Sequence, residues 1–380
     1  MRSTKWVSVI AAAALTFGVA ACGDDDNDSG GSGSGSNTAA STTADSGAGG
    51  KSGKIALLLP ESKTARYESQ DRPNFERKLK EVCADCEIIY SNADQDASKQ
   101  QQQAEAALTQ GAKVLVLDPV DSASAAAIVT RAKTSKVPVI SYDRLILNSK
   151  PDYYISFDNE KVGKLQGQSL VDKLKADGKS GSIVMINGAP TDNNAKLFKA
   201  GAHSVIDSSG FKVAKEYDTP DWSPDKAQSE MEQAITALGK TGFVGVYSAN
   251  DGNAGGIIAA MKSNGVDPKK IPITGQDAEL AGIQRIVAGE QYMTVYKAIK
   301  PEAEAAAQLA YDLLNGKTPD ASTVNGKTNN GQADIPSILL DPVAITVKDI
   351  NDTIIKDGFW KASEICKGQY AAACKTAGIQ

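Results

Sequence analysis

The sequence predicts an α/β protein of two lobes, each built on a parallel sheet. Three observations carry this expectation. First, short apolar, β-branched runs alternate with amphipathic stretches at helical spacing from Lys54 onward. Second, the runs fall into two successive series of similar size. Third, each run stops at a hydrogen-bonding residue: Val137 to Tyr142 ends at Asp143 and Arg144, Phe243 to Ala249 at Asn250, Ile271 to Gln276 at Asp277, and Met293 to Tyr296 at Lys297. Ligands of open α/β sheets bind outside the carboxyl ends of the strands, so these polar ends should converge on one site.

The first series has strands at Lys54 to Leu59, Glu87 to Tyr90, Val114 to Leu117, Val137 to Tyr142 and Tyr153 to Phe157. Helices at Pro73 to Val82, Ala97 to Gln110 and Ser122 to Thr134 lie between them. The βαβ rhythm implies right-handed crossovers. The second series has helices near Glu160 to Leu174, Asn194 to Ile206, Pro224 to Ala237 and Ala254 to Asn264. Its strands are Ser182 to Ile186, Lys212 to Tyr217, Phe243 to Tyr247 and Ile271 to Thr274. After Val295 come an alanine-rich helix (Pro301 to Leu314), a Gly/Asn-rich loop and an apolar run from Ile338 to Thr346. These are too few for a third domain and should return to complete the two sheets. The expected boundaries are 54–157 with 296–332 for the first lobe, 158–295 with 333–364 for the second, and a tail at 365–380.

Ahead of the lobes, Met1 to Trp6 is short and basic, and Val7 to Ala21 is an alanine-rich apolar run. Residues 1–21 therefore read as a signal peptide. The run ends Val19-Ala-Ala-Cys22-Gly23, which resembles a bacterial lipobox with Cys22 as the lipidated residue; an ordinary secretory signal with an incidental cysteine is the alternative. Two acyl chains suffice for stable anchoring. Residues 23–53 are Gly, Ser, Asp, Thr and Ala with almost no large apolar side chain, a composition that cannot bury a core. As a flexible leash they reach roughly 30 Å.

Composition narrows the function. Of 380 residues only one, His203, is histidine, which disfavours Ser-His-Asp and Cys-His catalysis and excludes multi-histidine metal sites. The formal charge of −5 comes with no basic block, so nucleic acid is not an expected partner. Neither G-x-G-x-x-G after the first strand nor G-x-S-x-G occurs, so no dinucleotide or other cofactor and no hydrolase elbow is expected. Paired strand-end carboxylates leave a glycosidase as an enzymatic alternative. Besides Cys22 there are Cys83, Cys86, Cys366 and Cys374, an even set that favours disulfides in an exported chain. Cys83-Ala-Asp-Cys86 follows a predicted helix rather than starting one, so it lacks the helix dipole that makes a redox-active dithiol.

Six segments in order resemble the periplasmic sugar-binding proteins of ABC importers, closest to the D-xylose-binding group. They are Val139-Ile-Ser-Tyr-Asp-Arg-Leu-Ile146, Tyr154-Ile-Ser-Phe-Asp-Asn-Glu-Lys-Val-Gly163, Pro190-Thr-Asp-Asn-Asn-Ala-Lys-Leu-Phe198, Gly275-Gln-Asp-Ala-Glu-Leu280, Met293-Thr-Val-Tyr-Lys297 and Asp352-Thr-Ile-Ile-Lys-Asp-Gly-Phe359. The resemblance implies the type I fold: two Rossmann-like lobes, three hinge crossings and a sugar in the cleft. It implies a monomeric binding protein, not an enzyme, with a monosaccharide ligand and ABC permease partners. Matched motif by motif, the ligand set is Arg66, Asp143, Arg144, Asp192, Asn194, Trp222, Asn250, Asp277 and Lys297. Tyr67 stands where the family has a tryptophan, and Ala298 replaces the family's proline after Lys297. The chemistry of the set agrees: Asp accepts, Arg and Lys donate, and Asn does both, which suits adjacent hydroxyls, while an aromatic ring can cover the apolar face of a sugar.

Overall fold

A computed structural model describes residues 50–320 and 322–379; the signal peptide, Cys22 and most of the leash lie outside the described residues. The chain opens with β1 (Lys54–Leu59), α1 (Arg72–Val82), β2 (Glu87–Asn92), α2 (Ala97–Thr109), β3 (Ala112–Leu117), α3 (Ala126–Thr134), β4 (Val139–Tyr142) and β5 (Tyr153–Phe157). It continues with α4 (Asn159–Ala176), β6 (Ser182–Asn187), α5 (Asn193–Ile206), β7 (Lys212–Asp218), α6 (Pro224–Leu238), β8 (Gly245–Ser248), α7 (Asp251–Ser263), α8 (Leu280–Val287) and β9 (Thr294–Tyr296). The last elements are α9 (Ile299–Leu314), β10 (Gly326–Asn329), β11 (Asp334–Leu340), β12 (Val343–Ile345), α10 (Ala362–Ile365) and α11 (Ala371–Ala377).

The first sheet has the order β10-β11-β5-β4-β3-β1-β2 and is parallel except for β10. Strand β1, between β3 and β2, is apolar from Ile55 to Leu59 because both its faces are covered. Ile55, Leu57 and Leu59 face a cluster with α1 and α9, and Ala56 and Leu58 face a second cluster with α2 and α3. In the second lobe β7, β6 and β8 form a parallel sheet. The extended stretch after Pro272 continues it through single pairings of Ile273 with Val246 and Gln276 with Val295, reaching β9 and its antiparallel partner β12. One face carries α4 and α5, the other α6 and α7. The first pair packs closely because α4 has glycine at 163: a Cβ there would lie 1.9 Å from the Phe198 carbonyl oxygen.

The C-terminal boundary differs from the sequence expectation, which assigned 333–364 to the second lobe. Asp334–Leu340 is β11, parallel to β5 from Ser337–Tyr154 to Leu340–Phe157, so it belongs to the first lobe. The Gly/Asn-rich loop contains β10, which pairs antiparallel with β11 from Gly326–Ser337 to Asn329–Asp334, and a hairpin cannot be divided between lobes. The apolar run from Ile338 to Thr346 is split at Asp341-Pro342, where β11 gives way to β12 of the second lobe. The chain thus crosses between lobes after β5, after β9 and after β11. Nor is the tail a separate appendage: Ile365, Cys374 and Ile379 are buried with Ile283, Ile286 and Val287 of α8. Cys83 is bonded to Cys86 and Cys366 to Cys374. His203 sits at the surface between Asp207 and Glu216. Among the described residues no helix is long and apolar enough to cross a membrane.

Candidate functional site

The polar strand ends meet. Arg66, Tyr67, Asp143, Arg144, Asp192, Asn194, Trp222, Asn250, Asp277 and Lys297 all line one cavity, together with Thr64, Phe198 and Gln276. Each of the ten expected residues is 4 % exposed or less, so the two lobes are closed over the cavity.

On the first-lobe side, the loop after β1 is shaped by Glu61, whose carboxylate accepts from the backbone N–H groups of Lys63 and Thr64. Arg66 follows, at the start of the helical turn that runs into α1. Its guanidinium donates to both oxygens of Asp71 (2.9 and 2.6 Å), to Glu302 of α9 (2.9 Å) and to Asp143 (3.2 Å). Three of these four bonds go to residues behind the cavity wall and fix the fork, leaving Nη1 at the cavity. Asp143 ends β4 with φ 53°. Its carbonyl oxygen accepts from Ser156 and Asn194, which pins that unusual backbone. Burial raises the pKa of its carboxyl, but Arg66, Lys297 and Arg144 pull harder the other way and bring it down to about 2. Tyr67 donates to Asp143 and accepts from Arg144 Nη2. The Arg144 side chain also donates to the Pro119 carbonyl and lies near three carboxyl groups: Asp192 at 3.1 Å, Asp118 at 3.6 Å and Glu61 at 3.8 Å.

On the second-lobe side, two of the expected residues are helix N-caps. Asp192 accepts from the N–H of Asn194 at the start of α5, and Asn250 from that of Asn253 at the start of α7. The cap geometry turns each strand end sharply into its helix and aims these side chains outward at the cleft. Asp192 also accepts from the indole N–H of Trp222. The Trp222 ring fills the space over Gly188, where a Cβ would lie 2.0 Å from it, and meets Phe198 edge-on at 6.4 Å. Asp277, with φ 90°, pairs with Lys297 at 3.0 Å and faces Arg66 at 3.9 Å. The Lys297 ammonium lies 5.6 and 5.8 Å from the rings of Phe157 and Phe198.

Two properties decide what the cavity can hold. Its lining has three cations (Arg66, Arg144, Lys297) and three carboxylates (Asp143, Asp192, Asp277), formally balanced, so no net charge is offered to an ion. In addition, the amide oxygens Asn194 Oδ1 and Gln276 Oε1 are buried without a hydrogen-bond partner in the protein, an arrangement that costs free energy unless a ligand donates to them. The site suits a neutral molecule rich in groups that both donate and accept.

Thr64, Phe198 and Gln276 were not singled out from the sequence. Phe198 follows Asn194 by four residues and shares its helix face, and Gln276 adjoins Asp277; both lie inside motifs quoted above. Glu302, fully buried in the alanine-rich α9, reaches Arg66 from 236 residues away along the chain, and nothing local announces it.

Comparison with known proteins gives a consistent result. Residues 55–318 match the periplasmic binding protein domain. The chain is 40% identical over 316 residues to a D-xylose-binding periplasmic protein of Escherichia coli, covering 82% of this chain and 92% of that one. It is 35% identical over 331 residues to a multiple sugar-binding periplasmic receptor of Rhizobium radiobacter, with the same coverage. Among solved structures it superposes on a carbohydrate transporter solute-binding protein from Chloroflexus aurantiacus in complex with D-glucose. That match has a TM-score of 0.75 and 29% identity, and it covers 83% of this chain and 98% of the other.

Proposed function

Because this chain belongs to the periplasmic binding protein family, whose sugar-binding members serve ABC transport systems and are not enzymes, we propose that it captures one monosaccharide, D-xylose first, between its lobes and presents it to an ABC permease. The observation that carries this reading is the balanced set of three cations and three carboxylates beside the unpaired amide oxygens of Asn194 and Gln276. A neutral polyol answers all of them at once. Asp143 and Asp277 accept from sugar hydroxyls, and Arg66, Arg144 and Lys297 donate. Asn194, Asn250 and Gln276 do either, and Trp222 and Phe198 cover the apolar parts of the ring. Since these groups come from both lobes, a bound sugar bridges them and favours the closed form, which is the form a permease can distinguish.

The family is extracytoplasmic. We further propose that Cys22, outside the described residues, carries the lipid that holds this monomer at the outer face of the membrane. Thermal shift and titration calorimetry against D-xylose, D-glucose, D-ribose, L-arabinose and myo-inositol test the capture reading, because a ligand that binds only the native state raises its melting temperature. Micromolar or tighter binding of D-xylose is the expected result. Binding of none of the panel removes the reading, and a strong preference for another sugar reassigns the ligand.

A further inference from the structure

The turn that presents Asp277 to the cavity also touches the opposite lobe. Its backbone is unusual: Asp277 and Ala278 both have positive φ, 90° and 50°, a conformation that costs free energy for non-glycine residues and persists only where the surroundings impose it. Here they do. Thr294 Oγ1 accepts from Ala278 N–H at 3.2 Å, the Trp360 indole donates to the Ala278 carbonyl at 2.8 Å, and Asp251 Oδ2 accepts from Glu279 N–H at 2.9 Å. All three partners lie in the second lobe, so the turn moves with it as a rigid piece. Two residues beyond Asp277, the Glu279 carboxyl crosses the cleft and accepts from the backbone N–H of Ala65 at 3.0 Å. Ala65 stands between Thr64 and Arg66, both of which line the cavity. Glu279 itself does not line it.

We propose that Glu279 is a positioning residue that latches the closed lobes, and that it takes up a proton from solvent when a sugar closes them. This rests on the capture reading above. The groups facing Glu279 are Asp251 and Asp277 of its own lobe, Arg285 of α8 and, from the first lobe, the Ala65 N–H. Two carboxylates against one arginine, in a site 8 % exposed, oppose a third negative charge. Burial first, then Asp251 and Asp277, push Glu279 up to about 8 against the weaker pull of Ala65 and Arg285. Asp251 is also raised, to about 7 and chiefly by burial, but its partners Gln291, Thr294 and Glu279 N–H are all in the second lobe, so closure does not change its surroundings. Glu279 is different because the first lobe supplies its acceptor role and its cover.

The sign follows. With the lobes apart, water returns Glu279 toward the ordinary carboxylate range, so closing binds a proton at every pH between that range and about 8. Sugar affinity is therefore full at the acid end of this window and falls as pH rises, by up to about tenfold per unit, levelling off above about 8.

The test is titration calorimetry of the full chain with the best sugar of the panel, from pH 6 to 9, in buffers of different ionisation heat. Wild type is compared with Glu279→Gln and Glu279→Ala. Wild type should take up most of one proton near pH 7. Glu279→Gln keeps an oxygen for Ala65 N–H, so it should bind with that uptake lost and a flatter pH profile. Glu279→Ala should be equally flat and about five- to tenfold weaker, having lost the bond as well. Asp118, Asp192 and Glu302 titrate alike in all three proteins and cancel in the difference. Equal proton uptake by wild type and Glu279→Gln overturns the inference, as does equal affinity of the Gln and Ala variants. Should Glu279→Ala not fold, as its melting curve would reveal, the Gln profile still decides. Absence of any binding by wild type instead removes the capture reading, and this inference with it.

Discussion

Asp277→Asn separates charge from shape at the heart of the cavity. Asparagine has nearly the volume of aspartate and tolerates positive φ better than most residues, so the turn at φ 90° should keep its course. What disappears is one negative charge 3.0 Å from Lys297 and 3.9 Å from Arg66. Those two cations also face Asp143, at 4.0 Å from Lys297 and 3.2 Å from Arg66, and Arg66 is further held by Asp71 and Glu302. Neither cation is stranded, so sugar-free stability should move by about 1 kcal/mol or less, the scale of one ordinary hydrogen bond. Binding should suffer more. A hydrogen bond to a charged group contributes about 1.5–3 kcal/mol and one to a neutral group about 0.5–1.5 kcal/mol. The difference of about 1–1.5 kcal/mol per bond corresponds to roughly five- to tenfold in Kd. Asp277→Ala removes the whole interaction, for roughly ten- to 150-fold, and also puts alanine at φ 90°, so it alone should lower the melting temperature. Calorimetry with the preferred sugar and melting curves without it read both quantities. Wild-type affinity in Asp277→Asn refutes the argument that this carboxylate reads a hydroxyl; a stability loss of several kcal/mol refutes the argument that its neighbours are supplied by other carboxylates.

Three further outcomes are expected. Gly188→Ala should displace the Trp222 ring, which a Cβ would approach to 2.0 Å, and weaken sugar binding about as much as Trp222→Ala; calorimetry on the two variants makes the comparison. Denatured but unreduced mature protein should show no reactive thiol from Cys83, Cys86, Cys366 or Cys374, which are paired, as thiol titration would establish. Cys22→Ser should move the protein from the membrane fraction to the soluble one, read by immunoblot of fractionated cells.

Most of the site was legible because a parallel sheet brings the carboxyl ends of its strands to one side. Once Val139–Tyr142 and Thr294–Tyr296 were recognised as strands, Asp143 and Lys297 could only project from the same edge of their sheets. The second layer was not legible. Asp71 and Glu302 are single acidic residues on helices, indistinguishable along the chain from solvated ones, and they acquire a role only when Arg66 lies between them. The last crossing was missed for a related reason. β10 is Gly-Lys-Thr-Asn, with Lys327 and Asn329 facing solvent at the sheet edge, so it lacks the apolar run that marks a covered strand. Without β10 there was no hairpin to hold β11 in the first lobe. Strand pairing at the edge of a sheet depends on backbone groups, about which composition says little.

The order of elements along the chain has a consequence for biosynthesis. The core on one face of the first sheet includes Ala303, Ala306, Ala307, Leu309 and Ala310 of α9 and Ile338 of β11, so it cannot be completed until the chain has been made past Leu340. Domains generally fold as units while they emerge, but here the amino-terminal lobe must wait for the whole intervening lobe to be synthesised. A nascent chain of 300 residues therefore still lacks a face of its first lobe. For a protein that acts outside the cytoplasm, this delay keeps the leading part of the polypeptide threadable through a translocation channel, and it defers the final docking of α9 and β11 until nearly all of the chain is available on the far side.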